Sequence, residues 1–271
     1  MRRRWNDGGP HPAWWLTYED VSLYSSISES LTHNMRKTSK ARWLELVGAA
    51  TQVFLSKGYK RTQMADITDA MGLSAGAIYR YVESKEALFD LVVRAGAGMQ
   101  VDASKLSPPL ATPRPGATLA FLRETLKREG RIASLQTALS RPKVEDIADE
   151  FGRIVRELYA KTVQFRVGIK LLDRSALDWP ELAELWSGHW RAGLVSQLGR
   201  YLDLRISEHL LSTVPDTKAW ARFVIETVAF FALHRHYDPC PTPMSDAVAE
   251  ETAARALVRA TIGESQRKRG K

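Results

Sequence analysis

The first strong periodicity in the chain begins at Ser39. Leu44, Val47, Ala50 and Phe54 recur there at three- and four-residue steps and predict an amphipathic helix of roughly 17 residues ending at Gly58. Thr62 then offers a hydroxyl to cap a second, short helix with Met64, Ile67, Ala70 and Met71 on its inner side, and Gly72 supplies a left-handed exit. Ser74 is a good start for a third short helix, Ala75 to Tyr81, crossing the second, and Ser84 caps a fourth with Leu88, Leu91, Val92 and Ala95 on one face. Pro108, Pro109, Pro113, Pro115 and Gly116 interrupt every period between about 101 and 116 and mark a linker. Beyond it, helices are predicted over 117–139, 143–172, 180–203, 216–236 and 245–262, with proline-containing breaks between them. No strand alternation of useful length competes, so the fold class is all-α.

The two ends differ from this pattern. Residues 1–37 mix prolines and glycines with a serine-rich stretch and keep no helical period, which predicts a largely disordered arm; Met35, just before the periodic region, offers an alternative start. Residues 266–271 form a polar, basic tail. The expected domains are therefore a helix-turn-helix domain over 38–100, including the start of a connecting helix, and a helical domain over 101–265.

Composition narrows the partners. With 271 residues the chain is long enough for two modest domains, and 44% hydrophobic against 26% charged residues is ordinary for a folded protein. A formal net charge of +8 favours an anionic partner such as nucleic acid or a membrane surface. The single cysteine, Cys240, allows neither an internal disulfide nor a cysteine-based zinc site and fits a reducing cytoplasm. No run of 18 apolar residues or signal-peptide core is present, which argues against a membrane partner.

Helices one to three, joined by the turn Met71 to Ser74, have the spacing in which one helix braces across the phosphate backbone and the next enters the major groove. Ala75, Gly76 and Ala77 at the start of the third helix are small enough to let backbone approach base edges, while Ile78 is positioned to pack inward against Ile67. Arg80 is the candidate for base specificity, because an arginine fork can pair with guanine O6 and N7. On spacing alone, Tyr79 and Tyr81 also fit as surface aromatics and Lys85 as a solvated charge.

The run from Ala41 to Leu88 resembles the DNA-binding domain of the TetR family of bacterial transcription regulators. The likeness rests on Gly58-Tyr59, Thr62 with Ile67, Gly72-Leu73-Ser74, Gly76-x-Ile78-Tyr79-x-Tyr81 and Ser84-Lys85-Glu86-Ala87-Leu88, in family order over about 50 residues. The resemblance implies that Thr62, beside Gln63, holds a phosphate at the start of helix two, and that Tyr79, Tyr81 and Lys85 are further phosphate contacts. It also implies that Ser74, Ala75, Ala77 and Arg80 face the bases or nearby backbone. Val82 and Thr68 depart from the family's usual Phe and Ala at core-side positions and remove no expected DNA contact.

For the C-terminal helices the resemblance implies a domain that binds a small-molecule effector internally and dimerises through its last two long helices. Phe223, Val224, Thr227, Phe230 and Phe231, with Val248, Ala253, Ala256, Leu257 and Ala260, form faces able to pack on a second copy as a four-helix bundle, or alternatively on the monomer core. Phe165, Arg166, Trp179, Trp186, His189 and Trp190 are candidate pocket residues, although aromatic stripes at helical spacing also serve as plain core. His234 and His236 point to different faces, and neither a metal nor another cofactor is expected. No glycine-rich phosphate loop, nucleophile elbow or His-Glu-x-x-His pattern suggests an enzyme. The expectation is a homodimeric repressor that binds double-stranded operator DNA and releases it on binding an effector. The rivals are a DNA-binding factor without effector, and an all-α carrier or enzyme that does not read DNA.

Overall fold

The computed structural model describes residues 39–74, 76–102, 105–141 and 143–262. The N-terminal arm, the basic tail and Ala75 of the predicted third helix lie outside the described residues.

α1 (Ser39–Lys57) buries Trp43, Leu46, Val47, Ala50 and Phe54 on one face, with Leu44 on its flank only half-buried. Gly58 takes φ +80°, a left-handed conformation that suits glycine, and ends the helix. α2 (Met64–Ala70) starts from Gln63, whose backbone N–H donates to the Asp66 carboxylate at 2.8 Å, and turns Ile67 and Thr68 inward, leaving Ala70 exposed. The expectation that Thr62 caps this helix is corrected: its buried hydroxyl donates to the Gly58 carbonyl at 2.7 Å. Gly72 makes the left-handed exit at φ +63°.

The third helix is shorter than its pattern predicts, a single 3₁₀ turn over Ala77–Arg80. A segment of about seven residues that includes a glycine gains too few hydrogen bonds to offset helix nucleation. Ser74 supplies a backbone carbonyl to the Ala77 N–H at 2.9 Å rather than a side-chain cap. α3 (Lys85–Gly96) follows, capped as predicted by the Ser84 hydroxyl, which accepts from the Ala87 N–H at 3.1 Å.

The proline-rich linker is a strap bound back onto this domain. The Leu110 N–H donates to the Tyr81 carbonyl at 2.7 Å, the Glu83 N–H to the Leu110 carbonyl at 3.0 Å, and the Thr112 N–H to the Glu83 carboxylate at 2.8 Å. The bridge from Val82 to Leu110 is isolated, and no strand forms among the described residues.

The remaining helices are α4 (Ala117–Glu129), α5 (Ala133–Ser140), α6 (Ile147–Gln164) and α7 (Arg166–Ala176). α8 (Pro180–Ala183) runs through a π-helical stretch, Glu184–Arg191, into α9 (Ala192–Ser207); α10 (Thr217–Ala232), a 3₁₀ turn His234–Tyr237 and α11 (Asp246–Thr261) complete the described fold. Two predicted helices are each split in two. The helix expected over 117–139 breaks at Gly130, where the Trp190 ring lies so close that a Cβ would sit 2.0 Å from its Nε1. The one expected over 143–172 starts late, where Asp146 accepts from the Ala148 and Asp149 N–H groups at 2.8 and 3.0 Å, and breaks at Phe165. The expected 216–236 helix ends at Ala232, and the 180–203 helix continues to Ser207.

One core cluster joins the helix-turn-helix to the helices behind it: Phe54, Ile67, Ile78, Leu88 and Phe89 share it with Leu122, Leu171, Leu182 and Trp186. The other fills the space among α5, α6, α9, α10 and α11. α7 crosses α1 and α3, and its Gly168 meets Gly96 backbone to backbone. A Cβ on Gly168 would lie 2.5 Å from the Gly96 carbonyl oxygen, with no flexible side chain able to yield. Gly168→Ala is therefore expected to lower unfolding free energy by about 1–3 kcal/mol in urea titration. Gly193→Ala in α9, with nothing within 4 Å of the added carbon, should leave it unchanged or raise it.

Candidate nucleic-acid interface and effector cavity

The 3₁₀ turn exposes two side chains because a third anchors it. Ile78 is fully buried, Tyr79 is 50% exposed and Arg80 is exposed. The Arg80 guanidinium is in no ion pair or hydrogen bond among the described residues. Gln63, Ser74 and Gly76 are exposed nearby, whereas Ala77 is only 8% exposed and packs inward, which corrects its expected place on the surface. Tyr81 is half-buried, its ring meeting Trp43 edge-on at 5.5 Å. Val82 and Thr68 are buried, as core-side positions should be; Thr68 satisfies its hydroxyl on the Ala65 carbonyl at 2.9 Å.

Lys85 has a structural task that its spacing does not reveal. Its Nζ donates to the Thr62 and Lys60 carbonyls at 2.8 and 3.3 Å and lies 4.8 Å from the Tyr59 ring centre, tying α3 to the α1–α2 turn. Burial pulls its ammonium below its ordinary pKa. Tyr59 donates to Glu86 at 2.8 Å; that bond lowers the Glu86 carboxyl, while burial raises the Tyr59 hydroxyl. Lys57 pairs with Asp66 at 2.6 Å and holds that carboxyl below its usual value. Sequence reading missed this network, whose visible traces are the Gly-Tyr pair after α1 and the Lys85-Glu86 pair at the start of α3.

Behind the domain lies an apolar cavity of about 80 Å³, enough for several water-sized spheres. Val93, Gly96 and Ala97 of α3 and its C-terminal extension form one wall; Leu122, Leu126, Leu158, Leu171 and Leu172 line it from the other helices. Of the six pocket candidates, Phe165, Trp186 and Trp190 line it. The two tryptophans stack at 4.6 Å within the π-helical stretch, a distortion often found at functional sites. The other three do not line this cavity, although His189 lines the groove beside it. Arg166 is 7% exposed and points to Asp246 and the Ala232 carbonyl; Trp179 packs on Tyr59 and Phe89 at 4.9 and 5.9 Å; His189 lies outside, its ring on the Glu184 carbonyl. In the sequence these positions fall on two predicted helices, and the break at Phe165 and the π-helical stretch Glu184–Arg191 set their final directions.

No group of three metal-ligating side chains occurs among the described residues, and none of the described helices is long and apolar enough to cross a membrane.

A helix-turn-helix whose turn is pinned by a buried isoleucine and whose next residues are an exposed tyrosine and arginine is the architecture of a DNA-binding domain. Residues 46–92 match the model of the family described as bacterial regulatory proteins, tetR family. Over these residues the chain carries a DNA-binding domain of the kind that family's members share. The HTH-type transcriptional repressor KstR2 of Rhodococcus jostii is 36% identical over 53 residues, 20% of this chain and 26% of that protein. The uncharacterized HTH-type transcriptional regulator YfiR of Bacillus subtilis is 36% identical over 55 residues, 20% and 27% respectively. The chain thus aligns with about a quarter of the length of these relatives. The structure of the ketosteroid transcriptional regulator KstR2 of Mycobacterium tuberculosis superposes with a TM-score of 0.50 at 13% identity, covering 85% of this chain and 98% of that one, a likeness of fold.

Proposed function

We propose that the chain is a transcriptional regulator that binds operator DNA as a homodimer and is released by a small molecule. The carrying observation is the recognition turn: Arg80 and Tyr79 project from a turn whose Ile78 is fully buried, so both are presented at low cost in backbone freedom. In this reading Arg80 reads a base edge, and Tyr79, Gln63 and Ser74 contact phosphate or nearby backbone, with Gly76 allowing close approach. Tyr81 contributes through its polar edge. Thr62 and Lys85, committed to internal carbonyls, position the α2 start rather than gripping phosphate themselves. The relative from R. jostii is named a repressor, which favours repression as the direction of control.

The cavity favours an effector over constitutive DNA binding. Its α3 wall joins the helix-turn-helix directly, so an occupant that displaces α3 moves the recognition turn. In a dimer the half-sites lie about 34–36 Å apart, and a change in separation costs one set of contacts.

The exposed side chains on the last helices support dimerisation. Phe223 and Phe230 of α10 and Val248 of α11 are 48%, 47% and 56% exposed, while Val224, Ala253 and Leu257 of the predicted faces turn into the monomer core. In α10 the outward pair is seven residues apart, two helical turns along one stripe. A Phe223→Glu/Phe230→Glu variant is expected to sediment as a monomer with unchanged helical content; a persistent dimer would place the interface elsewhere.

Fluorescence-anisotropy titration of DNA flanking the gene against random duplex, at two salt concentrations, tests the reading. Selective, salt-sensitive binding is expected, because phosphate contacts release counterions. Equal affinity for random duplex and for sequences selected from a random pool would overturn it.

A further inference from the structure

We infer that the effector is an amphipathic anion, with its apolar tail in the internal cavity and its head held by Lys127 and Arg131 in a groove on the other side of Trp190. This rests on the reading of the chain as an effector-controlled regulator and gives that effector a chemical class.

The groove, about 510 Å³, lies between the end of α4, the start of α5 and the π-helical stretch, and is distinct from the apolar cavity. Lys127, Arg131, Gln136, His189 and Gln197 give it its polar lining. Lys127 and Arg131 are exposed and have neither ion pair nor hydrogen bond among the described residues. Of the carboxylates nearby, Glu129 pairs with Arg128 at 2.7 Å, and Glu184 lies 3.3 Å from the His189 ring, an ion pair when that imidazole is protonated. Gln136 and Gln197 are bonded to each other across α5 and α9, which fixes the groove's floor. Two neighbouring cations without counter-charges are an anion site with geometric support on three helices.

Groove and cavity touch. Leu126, Gly130 and Trp190 line both, so a single layer of residues separates a cationic surface groove from a mainly apolar interior. Trp190 stands in that layer: it is half-buried, stacks on Trp186, and its indole N–H has no hydrogen-bond partner among the described residues. Gly130 is what lets the ring lie there, since any Cβ would collide with it. A wholly polar anion would leave the cavity unused, and a wholly apolar ligand would leave both cations unpaired. A molecule with a negative head and a slender hydrocarbon tail satisfies both halves, and its tail reaches the α3 wall at Gly96 and Ala97.

Isothermal titration calorimetry of the full-length chain with decanoate and decan-1-ol tests this, the two probes sharing a tail and differing in head charge. Decanoate should bind at least about tenfold more tightly at neutral pH, the advantage of a charge-assisted contact over a neutral one. Lys127→Ala/Arg131→Ala should bring the two within about twofold by weakening decanoate alone, and Lys127→Arg/Arg131→Lys should keep the preference. Equal binding of acid and alcohol by the wild type, binding of neither, or a preference that survives the double alanine variant would overturn the assignment. No DNA is present in these titrations, so their failure leaves the DNA-binding reading to be judged by the anisotropy measurement.

Discussion

Replacing Arg80 by alanine is expected to weaken binding to the preferred operator about ten- to a hundredfold while changing binding to random duplex far less. The expected size follows from one bidentate arginine–guanine contact, about 1–3 kcal/mol of discrimination. The local structure makes the effect readable. Arg80 supports no helix and pairs with no carboxylate among the described residues, so its loss should leave the fold intact. Tyr79→Phe is the contrasting case. It removes one hydroxyl from a half-exposed ring and should weaken all duplexes alike, by roughly fivefold for a hydrogen bond of about 1 kcal/mol. Anisotropy titrations of both variants against operator and random DNA separate the two. A uniform loss for Arg80→Ala would move it from base reading to phosphate contact, and no loss at all would remove the recognition turn from the interface.

The recognition turn was legible in the sequence because local rules determine it. Gly58 and Gly72 need left-handed backbone, Ser84 needs no partner beyond the next turn, and Ile67 and Ile78 are the apolar residues of two short segments that must face each other. Its helical form was less legible. Seven residues including a glycine lie close to the nucleation limit, and the strap that ends the turn at Val82 comes from Leu110, 28 residues later. Thr62 was misread for a related reason. A threonine before a helix is a natural cap, but the Gly58 carbonyl, freed by the end of α1, takes its hydroxyl first.

In the C-terminal helices the sequence carried less, because side-chain partners there lie far apart in the chain. Periodicity marks a face as inward without saying whether a cavity or another helix waits there. Trp186 and Trp190 line a cavity, while Trp179, from the same predicted wall, fills a gap against Tyr59. The π-helical stretch that separates them leaves no mark in a hydrophobic pattern that continues through it. Lys127 and Arg131 had no motif to mark them, and only the break at Gly130 brings them to the mouth of the groove.

Arg166 shows the same limit and carries the last prediction. Its guanidinium donates to both Asp246 carboxylate oxygens at 3.1 and 3.0 Å and to the Ala232 carbonyl at 2.7 Å, joining α7 to the end of α10 and the start of α11. Arg235 also binds that carboxylate, with His236 3.3 Å from the same oxygen, and the Tyr159 hydroxyl donates to the Asp246 backbone carbonyl at 3.1 Å. One carboxylate therefore serves two arginines that are each more than nine-tenths buried. Asp246→Asn keeps the shape and removes the charge. It is expected to lower unfolding free energy by about 3 kcal/mol, the low end for stripping a buried cation of its partner, because the Asp246 side chain is itself 35% exposed. Burial raises the Asp246 carboxyl, but its bond to Arg166 and the charges of Arg166, Arg235 and His236 outweigh this and hold it below the ordinary 3.8. A depressed acid stabilises the fold fully above its ordinary value, and that contribution disappears as pH falls through the lower folded value. The wild-type advantage over Asp246→Asn in denaturant titrations should therefore be present at neutral pH and narrow below about pH 4, as the carboxylate takes up its proton. A gap that is small at neutral pH would mean that α7 and α11 are held together by their apolar faces and that the two arginines find other partners when the carboxylate is gone.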